Sequence, residues 1–173
     1  RSDATRLLSH HAMNSFYQWI DYSHSMKLNL GRAGSVALGP CEILTPRDPE
    51  LRKAAFELER ALAQRGVTAT PGFDSVERGY DLQYRRFSFS IGAEGSNRTN
   101  ERILKKLPGP DRRRFEERLA RHGYAFLFTY LSDLPGAWFR LPVLVVVGQD
   151  RAKTVEAVRA LTEPVSYTHL TLP

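Results

Sequence analysis

The chain has 173 residues, 42% of them hydrophobic, which is enough to bury one sizeable core. Its 25 lysines and arginines exceed its 19 aspartates and glutamates, and the formal net charge of +6 makes a polyanionic partner worth considering beside ordinary solubilising charge. The single cysteine, Cys41, excludes an intrachain disulfide, and the longest apolar run, residues 141–147, is too short to span a membrane. We therefore expect a cytoplasmic protein without a membrane partner.

The N-terminal segment, residues 1–46, divides into a patterned stretch and an irregular one. Apolar residues recur at spacings of three, four and seven over residues 5–27, which predicts an amphipathic helix. Residues 28–44 contain three glycines and Pro40, so they favour irregular chain or one or two short strands such as SVAL and CEIL. We expect this segment to pack on a core domain of residues 47–164. Because the chain begins at an arginine rather than a methionine, we also expect a fragment.

The core domain is predicted to open with a helix followed by three short strands. Asp48 can cap the helix, Pro49 suits its first turn, and Gly66 ends it. Leucines and alanines between these positions form one apolar stripe, as an amphipathic helix requires. β-Branched and aromatic residues then predict strands at residues 67–70, 79–84 and 86–91.

Residues 85–107, RRFSFSIGAEGSNRTNERILKKL, predict a strand that turns at glycines into a basic helix. Side chains alternate along a strand, so Phe87 and Phe89 share one face with Ile91, and the serines between them lie on the other face. A catalytic group would have to lie on that small polar face, where no catalytic side chain is found.

Two predicted helices follow the glycine turn and carry most of the positive charge. The first, residues 97–107, ends at a Pro-Gly-Pro step, and Asp111 can cap the second, which ends near Gly123. Residues 98–121 hold nine lysines or arginines against four aspartates or glutamates, a balance of +5 within the whole-chain value of +6.

The C-terminal part of the core is predicted to contain a buried strand and a helix. Residues 124–131 are aromatic and fit either helix or strand, whereas residues 141–147, LPVLVVV, predict a strand buried on both faces. The helix after it has three apolar residues facing inward, namely Val155, Val158 and Leu161. Residues 165–173, VSYTHLTLP, show no helical pattern, and we interpret them as an adaptor-derived tail that is not native.

Together these elements predict an α/β fold in the order αβββααβα, with a mixed sheet of about four strands sandwiched by helices and an additional N-terminal helix. This order resembles the core of PD-(D/E)XK nucleases, the restriction-endonuclease-like fold, in which carboxylates and a lysine hold Mg²⁺ and activate water at a phosphodiester.

The nuclease resemblance implies that Asp74, Asp81 and Glu94 are candidate carboxylates of a divergent metal-dependent nuclease. However, the Glu-x-Lys pair of the family's third strand is replaced here by serine and glycine, and the nearest lysines, Lys105 and Lys106, lie on the following helix. Under the structural interpretation Asp74 caps a turn, Asp81 lies on an exposed strand face and Glu94 lines a loop. We therefore assign no catalytic residue and no metal site, and Mg²⁺ is expected only under the nuclease alternative.

The order of short motifs also resembles that of replication-relaxation proteins of mobile genetic elements. HHAMNSF at residues 10–16 is similar to the family's H-x-L-A-V-N-x-F helix, which there follows a DNA-binding winged helix. FSFSIGAEGSNRT, KKL and LPVLVVV then stand in the family's order of a Glu-x-Asp-x-Gly-Thr strand, a Lys-Leu helix and a late apolar strand. The resemblance spans roughly residues 7–162. Pro71 is followed by glycine where the family has aspartate, and Ser90 and Gly92 replace both acids of the strand motif.

This resemblance implies a non-catalytic accessory protein that binds duplex DNA of a plasmid or conjugative element during replication. Its phosphate contacts would be basic residues of the helix pair, because their cations neutralise the DNA backbone. These residues are Arg98, Arg102, Lys105, Lys106, Arg112, Arg113 and Arg114. Two other interpretations remain: a solvated helix face in which Glu101, Glu116 and Glu117 form helical ion pairs, or a small α/β protein-interaction domain whose charge serves solubility.

Overall fold

In a computed structural model of the protein, the described residues are 6–8, 19–21, 25–29, 35–38, 40–73, 87–131 and 141–171, with side chains described over 40–73, 87–129 and 142–162. The strands are β1 (Arg6–Leu8), β2 (Trp19–Asp21), β3 (Ser25–Asn29), β4 (Ser35–Leu38), β5 (Cys41–Thr45), β6 (Ala69–Phe73), β7 (Phe87–Ile91), β8 (Tyr124–Leu131) and β9 (Leu141–Gly148). The helices are α1 (Pro49–Ala63), α2 (Arg98–Lys105), α3 (Gly109–His122) and α4 (Arg151–Thr171).

The larger sheet has six strands in the order β1-β8-β9-β7-β5-β6. β9, β7, β5 and β6 run parallel, whereas β8 pairs antiparallel with both β9 and β1. Ser90 of β7 lies opposite Leu44 of β5 and Val145 of β9, so these three side chains share one face. β2, β3 and β4 form a smaller antiparallel sheet.

Helices cover both faces of the larger sheet. α1 and α4 pack against one face, where Ile43 and Phe89 are fully buried. α2 and α3 pack against the other face, over Leu127 and Val145. The predicted α/β sandwich with a mixed sheet is therefore confirmed. Within the described residues, no helix combines the length and the apolar composition needed to cross a membrane.

The side-chain patterns predicted for β7 and β9 are confirmed. Phe87, Phe89 and Ile91 are buried on the face covered by α1 and α4, and the Phe87 ring stacks on Phe128 with 6.2 Å between centroids. Residues 143–147 of β9 are at most 2% exposed. Because helices cover both faces of this strand, nearly every position along it has to be apolar.

Asp48 caps α1, as predicted, and also contacts α4. Its Oδ1 accepts hydrogen bonds from the backbone N–H groups of Glu50 at 2.9 Å and Leu51 at 3.2 Å, and its Oδ2 accepts one from Arg151 Nε at 2.6 Å. Arg151 is the first residue of α4, so one carboxylate joins the N-terminal ends of both helices in this layer. Burial raises the pKa of Asp48, but the hydrogen bonds from Leu51, Arg151 and Glu50 outweigh it and hold this pKa below its usual value.

The helix predicted over residues 5–27 is wrong in the parts of this stretch that the structure describes, since these parts are the strands β1, β2 and β3. β3 alternates Met26 and Leu28 with polar residues, and it pairs with β4 over residues 26–29. A period of two suits a strand, and the described apolar residues Leu7, Trp19 and Met26 lie in three separate strands rather than on one helix.

Other boundaries differ in detail from the prediction. β5, placed by the sequence in the N-terminal segment, lies inside the larger sheet between β7 and β6. The ambiguous residues 124–131 form β8, which adds a strand between the helix pair and β9. Asp111 lies in the first turn of α3, which begins at Gly109 without a side-chain cap. The strand predicted at residues 79–84 falls outside the described residues.

The C-terminal tail is helical rather than patternless. α4 continues to Thr171, well into the stretch that was predicted to lack helical character. Extending an existing helix gains one backbone hydrogen bond for each residue that becomes ordered, so a tail without its own helix-starting signal can still continue the helix.

We predict that Asp48→Ala lowers the free energy of unfolding by about 1 to 2 kcal/mol, because it removes the α1 cap and leaves Arg151 without its carboxylate. Asp48→Asn is the matched control: it keeps a capping oxygen and loses only the charge, so it should cost less. Urea denaturation near neutral pH measures both variants.

Lowering the pH should reduce the difference in free energy of unfolding between the wild type and Asp48→Asn. The folded-state pKa of Asp48 lies below the usual 3.8, so its stabilising contribution is complete above that value and is lost as the pH falls through the folded-state pKa. Between about pH 5 and pH 2 the wild type should lose more stability than Asp48→Asn. Equal losses would contradict a role for the charge.

Candidate nucleic-acid interface

The turn between β7 and α2 lies at the carboxyl edge of the parallel strands, where the winding of the sheet changes direction. β5 leads through α1 to β6 on one side, whereas β7 and β9 lie on the other side of β5. Open α/β sheets bind their ligands at such a switch point, so the residues of this turn are the first candidates for a site.

Asn97 joins the end of β7 to the start of α2. Its Oδ1 accepts a hydrogen bond from the backbone N–H of Asn100 at 2.9 Å, and its Nδ2 donates to the Ile91 carbonyl at 2.9 Å and to Ser90 Oγ at 3.1 Å. Asn100 Nδ2 donates in turn to the carbonyl oxygens of Ser90 at 3.1 Å and Gly92 at 3.0 Å. Both asparagines are fully buried, so these bonds fix α2 on the strand.

The polar face of β7, where the sequence shows no catalytic group, is occupied by this asparagine network. A Cβ added at Gly92 would lie 3.0 Å from Asn97 Cβ and 3.0 Å from Pro46 Cγ, and Gly92 has a φ of +142°. Small residues at positions 90 and 92 therefore allow α2 to begin close to the strand. Ser90 and Gly92, which stand where the nuclease resemblance would place a Glu-x-Lys pair, thus have a packing role.

Glu94, the described member of the candidate metal carboxylates, is bound by Arg112. Arg112 Nη1 donates to Glu94 Oε1 at 3.1 Å and Nη2 donates to Oε2 at 2.7 Å, so both carboxylate oxygens face one guanidinium. Asp74 and Asp81 lie outside the described residues. Among the side chains that the structure describes, no three His, Cys, Asp or Glu residues form a group that could hold a metal ion. Glu94 thus gives the nuclease alternative no support.

Arg112 links the β7–α2 turn to α3. Besides its two bonds to Glu94, its Nε donates to Glu116 Oε1 at 2.9 Å, one turn further along α3. The hydrogen bonds to Glu94 and then to Glu116 raise the pKa of the Arg112 guanidinium. Arg112, one of the predicted phosphate contacts, is therefore already hydrogen-bonded to two carboxylates.

The other predicted phosphate contacts lie along the outer surfaces of α2 and α3. Arg102 is half-buried, and the remaining five, Arg98, Lys105, Lys106, Arg113 and Arg114, are exposed. Lys105 Nζ lies 2.8 Å from Glu101 Oε1, and Arg114 Nη2 lies 3.9 Å from Asp111 Oδ1. Helical ion pairs are thus present at Glu101 and Glu116, but exposed pairs of this kind are weak and leave the net positive charge in place.

Arg118 is a basic residue of the same surface that is not among the seven predicted phosphate contacts. It lies one turn after Arg114 on α3, and its Nη1 is buried without a hydrogen-bond partner. Burial lowers the pKa of Arg118, and the positive charge of Arg114 lowers it further. A buried donor without a partner lowers the stability of the folded protein. The sequence signal that could have identified it is the spacing of four between two arginines on one helix.

Comparisons of the chain with protein-family models, with curated proteins and with solved structures each found no match. The interpretation of the site therefore rests on its own geometry and charge.

We predict that Gly92→Ala lowers the free energy of unfolding by about 2 kcal/mol or more, because the new methyl group meets Asn97 and Pro46 at a positive φ. Gly95→Ala in the same turn is the control, since a Cβ there meets nothing within 4 Å. Its effect should stay within about 0.5 kcal/mol. Chemical denaturation of both variants gives the comparison, and similar costs would show that Gly92 is not a close-packing point.

We predict that Arg118→Met stabilises the protein by about 0.5 to 1 kcal/mol, because it removes a buried donor without a partner and the repulsion from Arg114. Arg113→Met removes the same charge from an exposed position of α3 and should change stability little. Thermal and urea unfolding in phosphate-free buffer measure both. A loss of stability in Arg118→Met would show that the guanidinium is satisfied in the unliganded protein.

Proposed function

We propose that the protein binds duplex DNA through the outer surfaces of α2 and α3. The observation that carries this proposal is the concentration of charge, since residues 94–122 hold nine lysines or arginines against five aspartates or glutamates. The apolar residues of both helices belong to one core cluster on the same face of the sheet, so the two helices form a single layer. A phosphate backbone is attracted to such a layer and releases counterions where it makes contact.

We assign different parts of the interaction to different basic residues. The direct phosphate contacts are the exposed cations, namely Arg98, Lys105, Lys106, Arg113 and Arg114. Lys105 can exchange its exposed Glu101 partner for a phosphate at little cost. Arg112 positions the β7–α2 turn against α3 through Glu94 and Glu116. Arg118 adds a half-buried positive charge to the same surface, one turn after Arg114.

For the biological role we propose an accessory protein of plasmid or mobile-element replication that acts in the cytoplasm and does not cut DNA. The support for the replication role is the resemblance over roughly residues 7–162 to replication-relaxation motifs. The support for a non-catalytic role is that Ser90 and Gly92 serve the packing of α2, and that Glu94 binds Arg112.

The proposal is tested by fluorescence anisotropy with a labelled duplex of about 20 base pairs at about 50 mM salt. We expect binding that weakens linearly on a plot of log affinity against log salt. The triple variant Lys105→Gln, Lys106→Gln, Arg113→Gln should bind at least tenfold more weakly, and its salt slope should fall by about 2.7, since each phosphate contact contributes about 0.9.

The matched control is a second triple variant, Lys53→Gln with Arg60→Gln and Arg159→Gln. It removes the same charge from α1 and α4, which lie on the opposite face of the larger sheet. Arg159 lies 3.8 Å from Glu57, so this control also removes a cation from one exposed ion pair. Its affinity for the duplex should stay within about threefold of the wild type. Equal losses in the two triple variants would contradict an interface on α2 and α3, and absence of wild-type binding at this salt would overturn the proposal.

A further inference from the structure

Two arginines and two phenylalanines form a cluster in the layer of α1 and α4. The Cζ atom of Arg47 lies 4.4 Å from the centroid of the Phe73 ring, and that of Arg52 lies 4.1 Å from the same centroid. Arg52 Cζ also lies 5.4 Å from the centroid of the Phe56 ring. We refer to Arg47, Arg52, Phe56 and Phe73 as the Arg–Phe cluster.

The Arg–Phe cluster lies at the carboxyl edge of the parallel strands. Phe73 is the last residue of β6 and lies opposite Thr45, the last residue of β5. Arg47 comes two residues after Thr45, which places it beside Phe73. Arg52 and Phe56 are one turn apart in the first half of α1. This edge is where open α/β sheets present their ligand sites.

The positive charge of the cluster is not neutralised within the described part of the chain. Both guanidinium groups contact one ring, so they lie closer together than the screening length of about 10 Å at 0.1 M salt and repel each other. The neighbouring carboxylate of Asp48 is engaged with the α1 amides and with Arg151. None of the ion pairs between described residues includes Arg47 or Arg52.

An aromatic surface accompanies this charge. Phe56 is 42% exposed, and among the described side chains it is the large hydrophobic one that solvent reaches most. Its neighbour Arg52 is half-buried between two rings, which holds the guanidinium in place without satisfying its donors. Ordered cations beside an exposed aromatic ring are the combination that proteins use to bind single-stranded nucleic acids.

We propose that the Arg–Phe cluster is a binding site for single-stranded nucleic acid. Backbone phosphates bind Arg47 and Arg52, and one base stacks on the exposed ring of Phe56. The site lies on the opposite face of the sheet from α2 and α3, so it is separate from the proposed duplex-binding surface and does not depend on it.

The chemistry of the cluster favours a single strand over a duplex or an acidic peptide. In a duplex the base faces are stacked on one another and are not open to a protein ring, whereas every base of a single strand has a free π face. An acidic peptide would use the two arginines but would leave Phe56 without a stacking partner. The contribution of the Phe56 ring is therefore the property that separates these ligands.

The test measures binding of a fluorescein-labelled oligothymidylate of about 12 nucleotides by anisotropy at about 50 mM salt. We expect the wild type to bind, Arg47→Gln with Arg52→Gln to bind about tenfold more weakly, and Phe56→Leu to bind at least fivefold more weakly, because leucine keeps apolar area but has no π face. Phe56 and Arg47 are exposed and Arg52 is half-buried, so we expect both variants to fold, which thermal unfolding verifies.

Lys53→Gln is the control for loss of a neighbouring charge that lies outside the Arg–Phe cluster. It removes one cation from the next position of α1, about 100° around the helix from Arg52, and should change the affinity less than twofold. The triple variant of α2 and α3 should keep most of its affinity for the oligothymidylate, so failure of the duplex proposal and failure of this one are distinguished.

The variant Phe56→Trp gives a direct readout of stacking. In Phe56→Trp, oligothymidylate should quench the tryptophan emission beyond the change seen in the wild type, since a stacked base quenches the indole. Any of the following results would overturn the proposal: no binding by the wild type, equal affinity of Phe56→Leu and Lys53→Gln, or binding without added quenching in Phe56→Trp. Displacement of the oligothymidylate by a polyglutamate peptide of the same charge at equal concentration would likewise overturn it in favour of an acidic protein partner.

Discussion

The buried side-chain amide of Asn97 holds the two basic helices, α2 and α3, on the sheet. One end of the amide caps α2 through the N–H of Asn100, and the other end donates to Ser90 and Ile91 at the end of β7. Asn97 is fully buried, so loss of these bonds would leave polar groups without partners at a cost of about 1 to 3 kcal/mol for each group. The start of α2 is set by this amide, and the Arg112–Glu94 contact carries the restraint on to α3. The positions of the basic side chains follow from both contacts.

The two positive surfaces differ in the groups that accompany their charge. On α2 and α3 the cations are interspersed with carboxylates such as Glu101 and Glu116. The phenylalanine of these helices, Phe115, is buried in the core and offers no exposed ring. That composition suits a regular phosphate backbone, which needs spaced charges and offers no free base faces. Around Arg47 the cations instead contact aromatic rings. The difference in chemistry is the reason for assigning a duplex to one surface and a single strand to the other.

Local signals predicted those elements whose conformation is determined by their own residues. The cap at Asp48, the alternating faces of β7 and the apolar run of β9 are confirmed, since capping, alternation and burial on both faces each leave a short-range pattern. The N-terminal helix was wrong because the described apolar residues of that stretch, such as Leu7 and Trp19, lie in separate strands. β5 was placed outside the core domain because a strand of five residues between Pro40 and Pro46 carries little signal, although in the sheet it pairs with strands on both sides.

The sequence by itself determined the α/β class, the two helices that carry the excess charge, and most of the residues on that surface. Only the tertiary structure decided that Asn97 and Asn100 fill the polar face of β7, that Glu94 binds Arg112 eighteen positions away, and that Arg47 and Arg52 meet at Phe73. Spacing along the chain reports contacts within a few residues, since helical and strand periods repeat over that range. Contacts between elements depend on how the sheet orders its strands, and that order is set by the packing of the whole core.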